Sequence, residues 1–194
     1  MITNKLTKTI VITGATATGK TTLCRRLLTH FLVQPKPVHM TRELRKGEIE
    51  NVDAICISED EFKNKFEQGI YIQDSLESMY FGSAYYGCPL EWITSTTTGD
   101  YTCIVSPTVM VAKKLKAQLG NKIVWIHLSA DKDVLVERLH KRSPDMKIAD
   151  VQARMDRLAV KVDVTGSDIL IDTSHLNAWE IFFQAMVKVN LCAE

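Results

Sequence analysis

The stretch Gly14-Ala15-Thr16-Ala17-Thr18-Gly19-Lys20-Thr21 decides the architecture of this chain. It fits the pattern of a phosphate-binding loop, in which two glycines separated by four residues precede Lys and then Ser or Thr. The β-branched run at residues 9–13 is typical of a buried strand, and residues 20–32 are typical of a helix. The strand, the loop and the helix therefore follow one another in the order that such a loop requires.

The chemistry follows from the geometry of the loop. Successive main-chain N–H groups converge on a phosphate at the helix N-terminus, where the positive end of the dipole favours an anion. We expect Lys20 to reach the β- and γ-phosphates of ATP, and the Thr21 hydroxyl to ligate a bridging Mg²⁺. The alternative is a glycine-rich turn that matches the pattern by accident. A full match somewhere in a chain of this length has a chance probability on the order of one in a hundred, even before the flanking strand and helix are required. The predicted ATP phosphate-binding residues are Gly14, Ala15, Thr16, Ala17, Thr18, Gly19, Lys20, Thr21 and Thr22.

Composition limits the class of protein. With 194 residues, 45% of them hydrophobic and 24% charged, the chain is long enough for one domain with one core. The net charge of +1 comes from interspersed basic and acidic residues, so we expect small-molecule partners and neither nucleic acid nor a membrane. The five scattered cysteines favour a reducing compartment, and no segment reaches the apolar length of a membrane span. We expect a cytoplasmic protein.

The remaining pattern alternates strands with helices. Further strands are predicted at residues 101–105, 122–128 and 169–172, and further helices at 108–119, 133–139, 148–158 and 179–189. This alternation predicts a parallel sheet with helices on both faces. Residues 34–37 are expected only to end the first helix, and 140–144 to form a basic segment after the helix that precedes them. Residues 38–88 are expected to be mostly loops, apart from a short helix that a capping box opens at Ser58.

Several segments in order resemble the guanylate kinase family. Thr41-Arg42, Arg45 and Gly47-Glu48 resemble the start of its acceptor-binding insertion, Tyr85-Tyr86-Gly87 its Tyr-Tyr-Gly segment, and the stretch from Glu137 to Arg154 its lid. The resemblance runs from about residue 10 to residue 189. It implies a three-layer α/β P-loop kinase fold with a parallel core sheet: a core of residues 1–37 and 90–194, an inserted acceptor-binding subdomain at 38–89, and a lid at about 140–156.

The resemblance also implies roles for individual residues. Arg42, Arg45 and Tyr86 are expected to bind the phosphate of the acceptor, since an arginine pair can clamp phosphate. Arg142 and Arg154 join Lys20 as catalytic residues, because a kinase needs cations around the transferring phosphoryl group. Without the resemblance, a solvated basic loop and an ordinary buried tyrosine would explain the same residues.

The chain departs from the family where guanine is read. In the family, a Ser, a Ser or Thr, and an Asp read the base, and these three positions here hold Val38, Cys88 and Thr108. The position of the Asp that supports Mg²⁺ holds Ser106, and the position of a phosphate-binding Tyr holds Ala54. No Glu-Trp pair occurs in residues 70–81. The N–H edge of guanine requires acceptors, and a site without them leaves buried donors unpaired. GMP is therefore expected to be a poor acceptor.

These observations predict a kinase that transfers the γ-phosphoryl group of ATP, with Mg²⁺, to a small molecule that already carries a phosphate. The leading candidate is ribose 1,5-bisphosphate or a similar sugar phosphate, because the ribose 1,5-bisphosphate phosphokinase branch is similar in Thr41-Arg42, residues 57–62 and residues 85–87. A nucleoside monophosphate kinase with altered base specificity is the alternative, and a non-catalytic guanylate-kinase-like binding module is a second one. A monomer or a homodimer is expected.

Overall fold

The structure is a computed structural model that describes residues 8–30, 33–81, 83–94, 101–105, 108–142, 144 and 162–191. Its strands are β1 (Lys8–Gly14), β2 (Val33–Pro35), β3 (Val38–Met40), β4 (Ala54–Cys56), β5 (Tyr80–Phe81), β6 (Ala84–Gly87), β7 (Tyr101–Val105), β8 (Ile123–Ser129) and β9 (Ile169–Asp172). Its α-helices are α1 (Lys20–His30), α2 (Glu59–Glu67), α3 (Glu91–Thr94), α4 (Val109–Leu119), α5 (Lys132–Arg142) and α6 (Ala178–Leu191). Among these described residues, no helix is long and apolar enough to cross a membrane.

Five parallel strands form the core sheet in the order β2-β7-β1-β8-β9. The phosphate loop leaves the carboxyl end of the central strand β1 and leads directly into α1. Ligands of open α/β sheets bind outside this edge of the sheet, so the topology places the loop where a nucleotide site is expected. The predicted α/β P-loop kinase fold is confirmed.

Each face of the core sheet packs against helices. On one face, α1 and α6 contribute Leu23, Leu27 and Phe182 to a buried cluster with Ile10 and Ile126 of the sheet. On the other face, α4 packs against Val11 and Trp125, and its cluster continues into residues of the 38–92 region. The helix–sheet–helix arrangement predicted from the alternating pattern is therefore present.

A second sheet, which the sequence analysis missed, occupies residues 38–87. Its four strands lie in the order β4-β3-β6-β5, with β3 parallel to β4 and antiparallel to β6. The expectation of loops for most of this region did not include these four short strands. Its strands contain only two to four residues, too few to show an alternating pattern. The helix that Ser58 was expected to open is present as α2, and the Ser58 hydroxyl accepts a hydrogen bond from Glu61 N–H.

Two boundaries also differ from the prediction. Residues 33–35 do more than end α1, since they form the edge strand β2 beside β7. Pro35 is tolerated there because an edge strand needs hydrogen-bond donors on one side only. The basic run His140-Lys141-Arg142 is the last turn of α5 rather than a segment after it, and cations at a helix C-terminus complement the helix dipole. The helix predicted at 148–158 lies outside the described residues.

Candidate active site

The phosphate loop is held in a shape that glycine permits. Gly14 has φ +145°, and a Cβ atom there would lie 2.2 Å from the carbonyl oxygen of Leu128 in β8. Gly19 has φ +98°, and Ala17 between them adopts φ +64°. Any side chain at position 14 would thus meet the main chain of the neighbouring strand. The spacing of the two glycines reflects this close approach and the turn into α1.

Lys20 lies against the loop that it follows. Its ammonium group donates hydrogen bonds to the carbonyl oxygens of Gly14 (2.8 Å) and Ala15 (2.6 Å). Burial, together with the positive charges of Arg142 and Arg45, lowers the pKa of Lys20 to about 8. Three cations thus share one electrostatic environment around the loop. Such a concentration of positive charge favours a polyphosphate anion.

Arg138 and Thr173 connect the loop to the end of β9. The Arg138 guanidinium donates to the Thr173 hydroxyl (3.0 Å), to the Thr173 carbonyl oxygen (2.6 Å) and to the Ala17 carbonyl oxygen (3.5 Å). The fully buried Thr173 hydroxyl in turn lies within donating distance of the Thr18 carbonyl oxygen at 3.2 Å. These contacts hold the centre of the loop from the side of α5.

Arg142 stands one helical turn after Arg138, on the same face of α5. Its NH2 group lies 3.4 Å from the Thr16 hydroxyl, at the exposed side of the phosphate loop. Its position in the last turn of α5 brings its charge beside Lys20 and Arg45, whose pKa values it lowers. Arg154 and Ser106 lie outside the described residues, as does most of the segment predicted to be a lid.

Arg42, Glu48 and Tyr86 form one hydrogen-bonded unit in the second sheet. The two terminal nitrogens of Arg42 donate to the two carboxylate oxygens of Glu48 at 2.7 and 2.9 Å, and its Nε donates to the Tyr86 hydroxyl oxygen at 2.9 Å. Burial alone would raise the pKa of Glu48, but the hydrogen bonds from Arg42 and from Arg45 N–H outweigh it and keep that pKa below its ordinary value. Because the Tyr86 oxygen accepts from Arg42, its own O–H can donate only to a different group.

Arg45 completes this group as its less neutralised cation. Its main-chain N–H donates to Glu48 at 2.8 Å, whereas its guanidinium lies 3.8 Å from the same carboxylate. Burial, followed by repulsion from Arg42 and Arg142, lowers the pKa of Arg45. The structure thus brings the predicted residues Arg42, Arg45 and Tyr86 together, with Arg45 electrostatically coupled to Lys20 across the cleft.

Apolar side chains occupy the positions where the family reads guanine. Val38 and Cys88, at two of these positions, are buried and belong to one cluster that packs on α4, and Ala54, at the position of the family's phosphate-binding Tyr, belongs to the same cluster. Gln73, only 3% exposed, forms hydrogen bonds to the main chain with both atoms of its amide. Its Nε2 donates to Tyr86 O, and its Oε1 accepts from Cys88 N–H. Its side chain is therefore fixed by strand β6 and its flank.

Thr108 has a structural explanation of its own. It is the N-cap of α4, and its hydroxyl accepts a hydrogen bond from Val111 N–H. A cap of this kind satisfies one of the unpaired donors in the first turn of a helix. Thr108 thus serves the start of α4, at a place where the family carries an acid.

A cavity of about 270 Å³ adjoins the phosphate loop on the side of α6. It is bounded by Thr18, Thr22 and Arg138 from the phosphate site and by the apolar side chains Leu176 and Ile181. Apolar walls with one planar cation beside them suit an aromatic base, which packs on aliphatic carbon and stacks on guanidinium. Its position beside the loop suits the nucleoside end of a bound nucleoside triphosphate.

Comparison with known proteins agrees with this geometry. A family model described as guanylate kinase matches residues 6–187. The chain belongs to the guanylate kinase family. It is therefore a guanylate-kinase-like P-loop kinase, which makes it an ATP-dependent phosphotransferase. The predicted resemblance, which rested on short motifs in the sequence, is confirmed as a family relationship.

Individual guanylate kinases show how distant the relationship is. The enzyme of Prochlorococcus marinus (strain MIT 9312) is 25% identical over 173 residues, covering 87% of this chain and 89% of that protein. The enzyme of Neisseria meningitidis serogroup A is 29% identical over 154 residues, covering 79% and 73%. The structure of guanylate kinase from Anaplasma phagocytophilum superposes with a TM-score of 0.68 at 17% identity, covering 97% of this chain and 87% of that one.

A gluconokinase structure from Sinorhizobium meliloti 1021 has a lower TM-score of 0.56 at 14% identity, covering 98% of this chain and 95% of the other. At this identity the likeness concerns the fold alone. The P-loop kinase fold is thus shared with a protein outside the guanylate kinase family, so the fold does not identify the acceptor.

Residue spacing did not predict the contacts of several residues that organise the site. Arg138 and Thr173 hold the loop although 35 residues separate them, and Gln73 contacts the main chain of Tyr86 in β6 and of Cys88 after it. Glu48 was visible as part of a motif, but its bidentate pairing with Arg42 was not. Such contacts depend on tertiary placement, which residue spacing does not report.

Proposed function

We propose that this enzyme transfers the γ-phosphoryl group of ATP to a phosphate of a small acceptor, with ribose 1,5-bisphosphate or a similar sugar phosphate as the leading candidate. The bond between the γ-phosphorus and the ADP oxygen breaks, and a new bond forms to an oxygen of the acceptor phosphate. That oxygen is ionised near neutral pH because the second pKa of a phosphate monoester is about 6. A general base is therefore unnecessary, and catalysis consists of positioning and charge neutralisation.

The observation that carries the proposal is the contrast between the two ends of the acceptor region. Arg42, Arg45 and Tyr86 offer cations and a hydroxyl donor for a phosphate. Val38 lies in β3, four residues before Arg42, and that end is filled by buried apolar side chains. The contacts of Arg42, Arg45 and Tyr86 support recognition of a phosphate. The apolar end does not support hydrogen-bonded reading of a guanine edge.

In the proposed mechanism, each phosphate has its own cations. Lys20 and the main-chain N–H groups of the loop hold the ATP phosphates, while Arg42, Arg45 and Tyr86 hold the acceptor phosphate. Arg142 stands between them at the exposed side of the loop, near Thr16. Arg154 is proposed to join it from the lid at about residues 140–156. Charge developing on the transferring group is neutralised by groups that are already in place.

Mg²⁺ is the proposed cofactor, and the Thr21 hydroxyl at the start of α1 would hold it. In the described residues no three His, Cys, Asp or Glu side chains cluster as a ready-made metal site. A single hydroxyl suits Mg²⁺ that is bound mainly through phosphate oxygens and retained waters. Bound there, the ion would neutralise β- and γ-phosphate charge.

A nucleoside monophosphate kinase that prefers another base is the second candidate. The family relationship to guanylate kinases favours it, and it would use the same phosphate contacts. It differs from the leading candidate in requiring the buried cluster around Val38 and Cys88 to rearrange around a base. Substrate preference therefore separates the two candidates.

The test is ADP release with ATP·Mg²⁺ over a panel of nucleoside monophosphates and ribose phosphates, with Lys20→Ala as the control for contaminating kinases. We expect the highest kcat/KM with ribose 1,5-bisphosphate or a related sugar phosphate, and a poor value with GMP. Phosphorus NMR of the product should show a new diphosphate linkage. A panel in which GMP is the best acceptor would refute the interpretation of the apolar cluster.

A further inference from the structure

Arg25 links the phosphate-loop helix to the acceptor region. It lies four residues after Thr21 on the same face of α1. Its guanidinium leaves the core and reaches the loop between β3 and β4. There its Nε donates to Asp53 at 3.2 Å, and its NH2 group donates to the other carboxylate oxygen of Asp53 and to the Gly47 carbonyl oxygen at 2.5 Å.

Asp53 also forms hydrogen bonds within the loop that Arg25 contacts. One of its carboxylate oxygens accepts from Ile49 N–H at 2.7 Å, and its own N–H donates to the Ile49 carbonyl oxygen at 2.9 Å. Asn51 turns the chain between them with φ +62°, and its N–H donates to the carbonyl oxygen of Ala54. The Asp53 carboxylate is shielded by this loop, since its side chain is only 10% exposed. Arg25 therefore binds a compact, internally bonded turn.

Glu48 lies between two residues whose main chain is held by hydrogen bonds. Arg25 fixes the main chain at Gly47, and Asp53 fixes it at Ile49. Glu48 thus presents its carboxylate from a defined place to the guanidinium of Arg42 and to the N–H of Arg45. A continuous set of hydrogen bonds runs from α1 to the residues proposed to hold the acceptor phosphate.

We propose that Arg25 is a positioning residue that fixes the acceptor-phosphate cations relative to the ATP phosphate loop. This inference rests on the proposed function, because it takes Arg42, Arg45 and Tyr86 to be the acceptor-phosphate site. The link is short and stiff: Thr21 and Arg25 are about 6 Å apart along one helix. Phosphoryl transfer needs donor and acceptor aligned, and a displacement of about 1 Å costs up to about a hundredfold in rate.

The experiment compares Arg25→Ala, Arg25→Lys and Asp53→Asn with Asp163→Asn. The last variant is the matched control, since Asp163 forms an exposed ion pair with Lys113 of α4 and its other described hydrogen-bond partner is Thr165. Initial rates are measured with the acceptor varied at saturating ATP, and the ATP Kd of the free enzyme is measured separately. Thermal unfolding of each variant shows whether the fold persists.

We expect Arg25→Ala and Asp53→Asn each to lower kcat/KM for the acceptor about tenfold to a hundredfold with the ATP Kd unchanged. Arg25→Lys should recover part of the loss, because an ammonium group reaches one of the two partners. The double variant Arg25→Ala/Asp53→Asn should be no worse than the poorer single variant, since both remove one link. Additive losses, equal losses on ATP and acceptor, or the same loss in Asp163→Asn would overturn the inference.

A second measurement separates this inference from the proposed function. Amide hydrogen exchange at Glu48 and Ile49 reports opening of the loop without any acceptor. If wild-type enzyme turns over no member of the panel, the proposed function fails, and exchange alone then decides the role of Arg25. Faster exchange in Arg25→Ala than in Asp163→Asn supports positioning by Arg25, and unchanged exchange overturns it. Faster exchange with an unchanged acceptor kcat/KM also overturns it, while leaving the proposed function intact.

Discussion

Lys20 should impose an alkaline limit on the enzyme. Burial, then Arg142 and Arg45, lowers its pKa from 10.5 to about 8, so the charge proposed to hold the ATP phosphates is lost as the pH rises through about 8. At pH 9 roughly one tenth of the free enzyme keeps a protonated Lys20, and kcat/KM for ATP should be about tenfold below its plateau. Bound polyphosphate favours the charged form, so the corresponding limb of kcat should lie at higher pH.

The assay is initial-rate kinetics with ATP varied from about pH 6 to pH 10 in buffers of constant ionic strength. The substrate phosphates titrate near pH 6, on the other side of the plateau. His127, whose pKa is lowered by burial and then by the charge of Lys20, also titrates on the acid side. The alkaline limb therefore reports Lys20 with little interference from these groups.

Two variants test the physical cause. Arg142→Ala removes a repelling charge, so the limb should move to higher pH even though the maximal rate falls. Lys20→Arg carries a group with a pKa above about 12, so its residual activity should show no limb near pH 8. A wild-type limb that stays in place in Arg142→Ala, or persists in Lys20→Arg, would refute the assignment to Lys20.

The same pKa has a consequence for stability with the opposite sign to that of the activity. Between about pH 8 and 10.5 the unfolded chain binds more protons at position 20 than the folded chain, so the free energy of unfolding rises with pH. Below pH 8 the charged Lys20 destabilises the fold by up to about 3 kcal/mol. Lys20→Met should therefore be more stable than the wild type near pH 7, by an amount that shrinks towards pH 10, as measured by urea unfolding.

Three further predictions follow from other contacts. Glu48→Gln loses the carboxylate that orients Arg42 and should raise the acceptor KM about tenfold with an unchanged ATP Kd, because a hydrogen bond to a charged group contributes about 1.5–3 kcal/mol. Arg142→Ala should lower kcat and kcat/KM together by about a hundredfold; a change in acceptor KM alone would move Arg142 to the acceptor site. Gly14→Ala should abolish stable folding because its Cβ would lie 2.2 Å from a carbonyl oxygen, whereas the control Gly69→Ala, with φ +70° and open space after the end of α2, should cost about 1 kcal/mol in thermal unfolding.

The sequence was most informative where the structure is local. The phosphate loop, β1 and α1 are contiguous, and a fixed spacing of Gly14, Gly19 and Lys20 is sufficient to predict them. The central strand β8 was found because a buried parallel strand is a nearly continuous apolar run. The edge strand β9 was found from its three consecutive apolar residues, although Leu170 among them is exposed. The edge strand β2 was missed because its Pro35 normally signals a break.

Contacts between segments far apart in the chain could not be predicted from the sequence. Arg25 and Asp53 are 28 residues apart, and nothing in their spacing distinguishes them from solvated surface charges. The second sheet was missed for a related reason: β5 has two residues, and its pairing with β6 is defined only after the chain folds. The family motifs did predict that Arg42, Arg45 and Tyr86 come together, whereas the pairing of Glu48 with Arg42 was not predicted.

Helices α1 and α5 share one arrangement, in which two residues of the proposed site stand one helical turn apart. This arrangement affects how the site keeps its geometry. On α1, Thr21 faces the proposed metal and Arg25, one turn later, holds the acceptor loop. On α5, Arg138 holds the phosphate loop and Arg142, one turn later, reaches Thr16 at the side of the loop where the transferring phosphate is proposed to lie. Residues four apart share a helix face, so a rigid rod carries each chemical group together with the group that positions its surroundings. The insertion of one residue between either pair would rotate the second member by about 100° and separate the roles while leaving both side chains present.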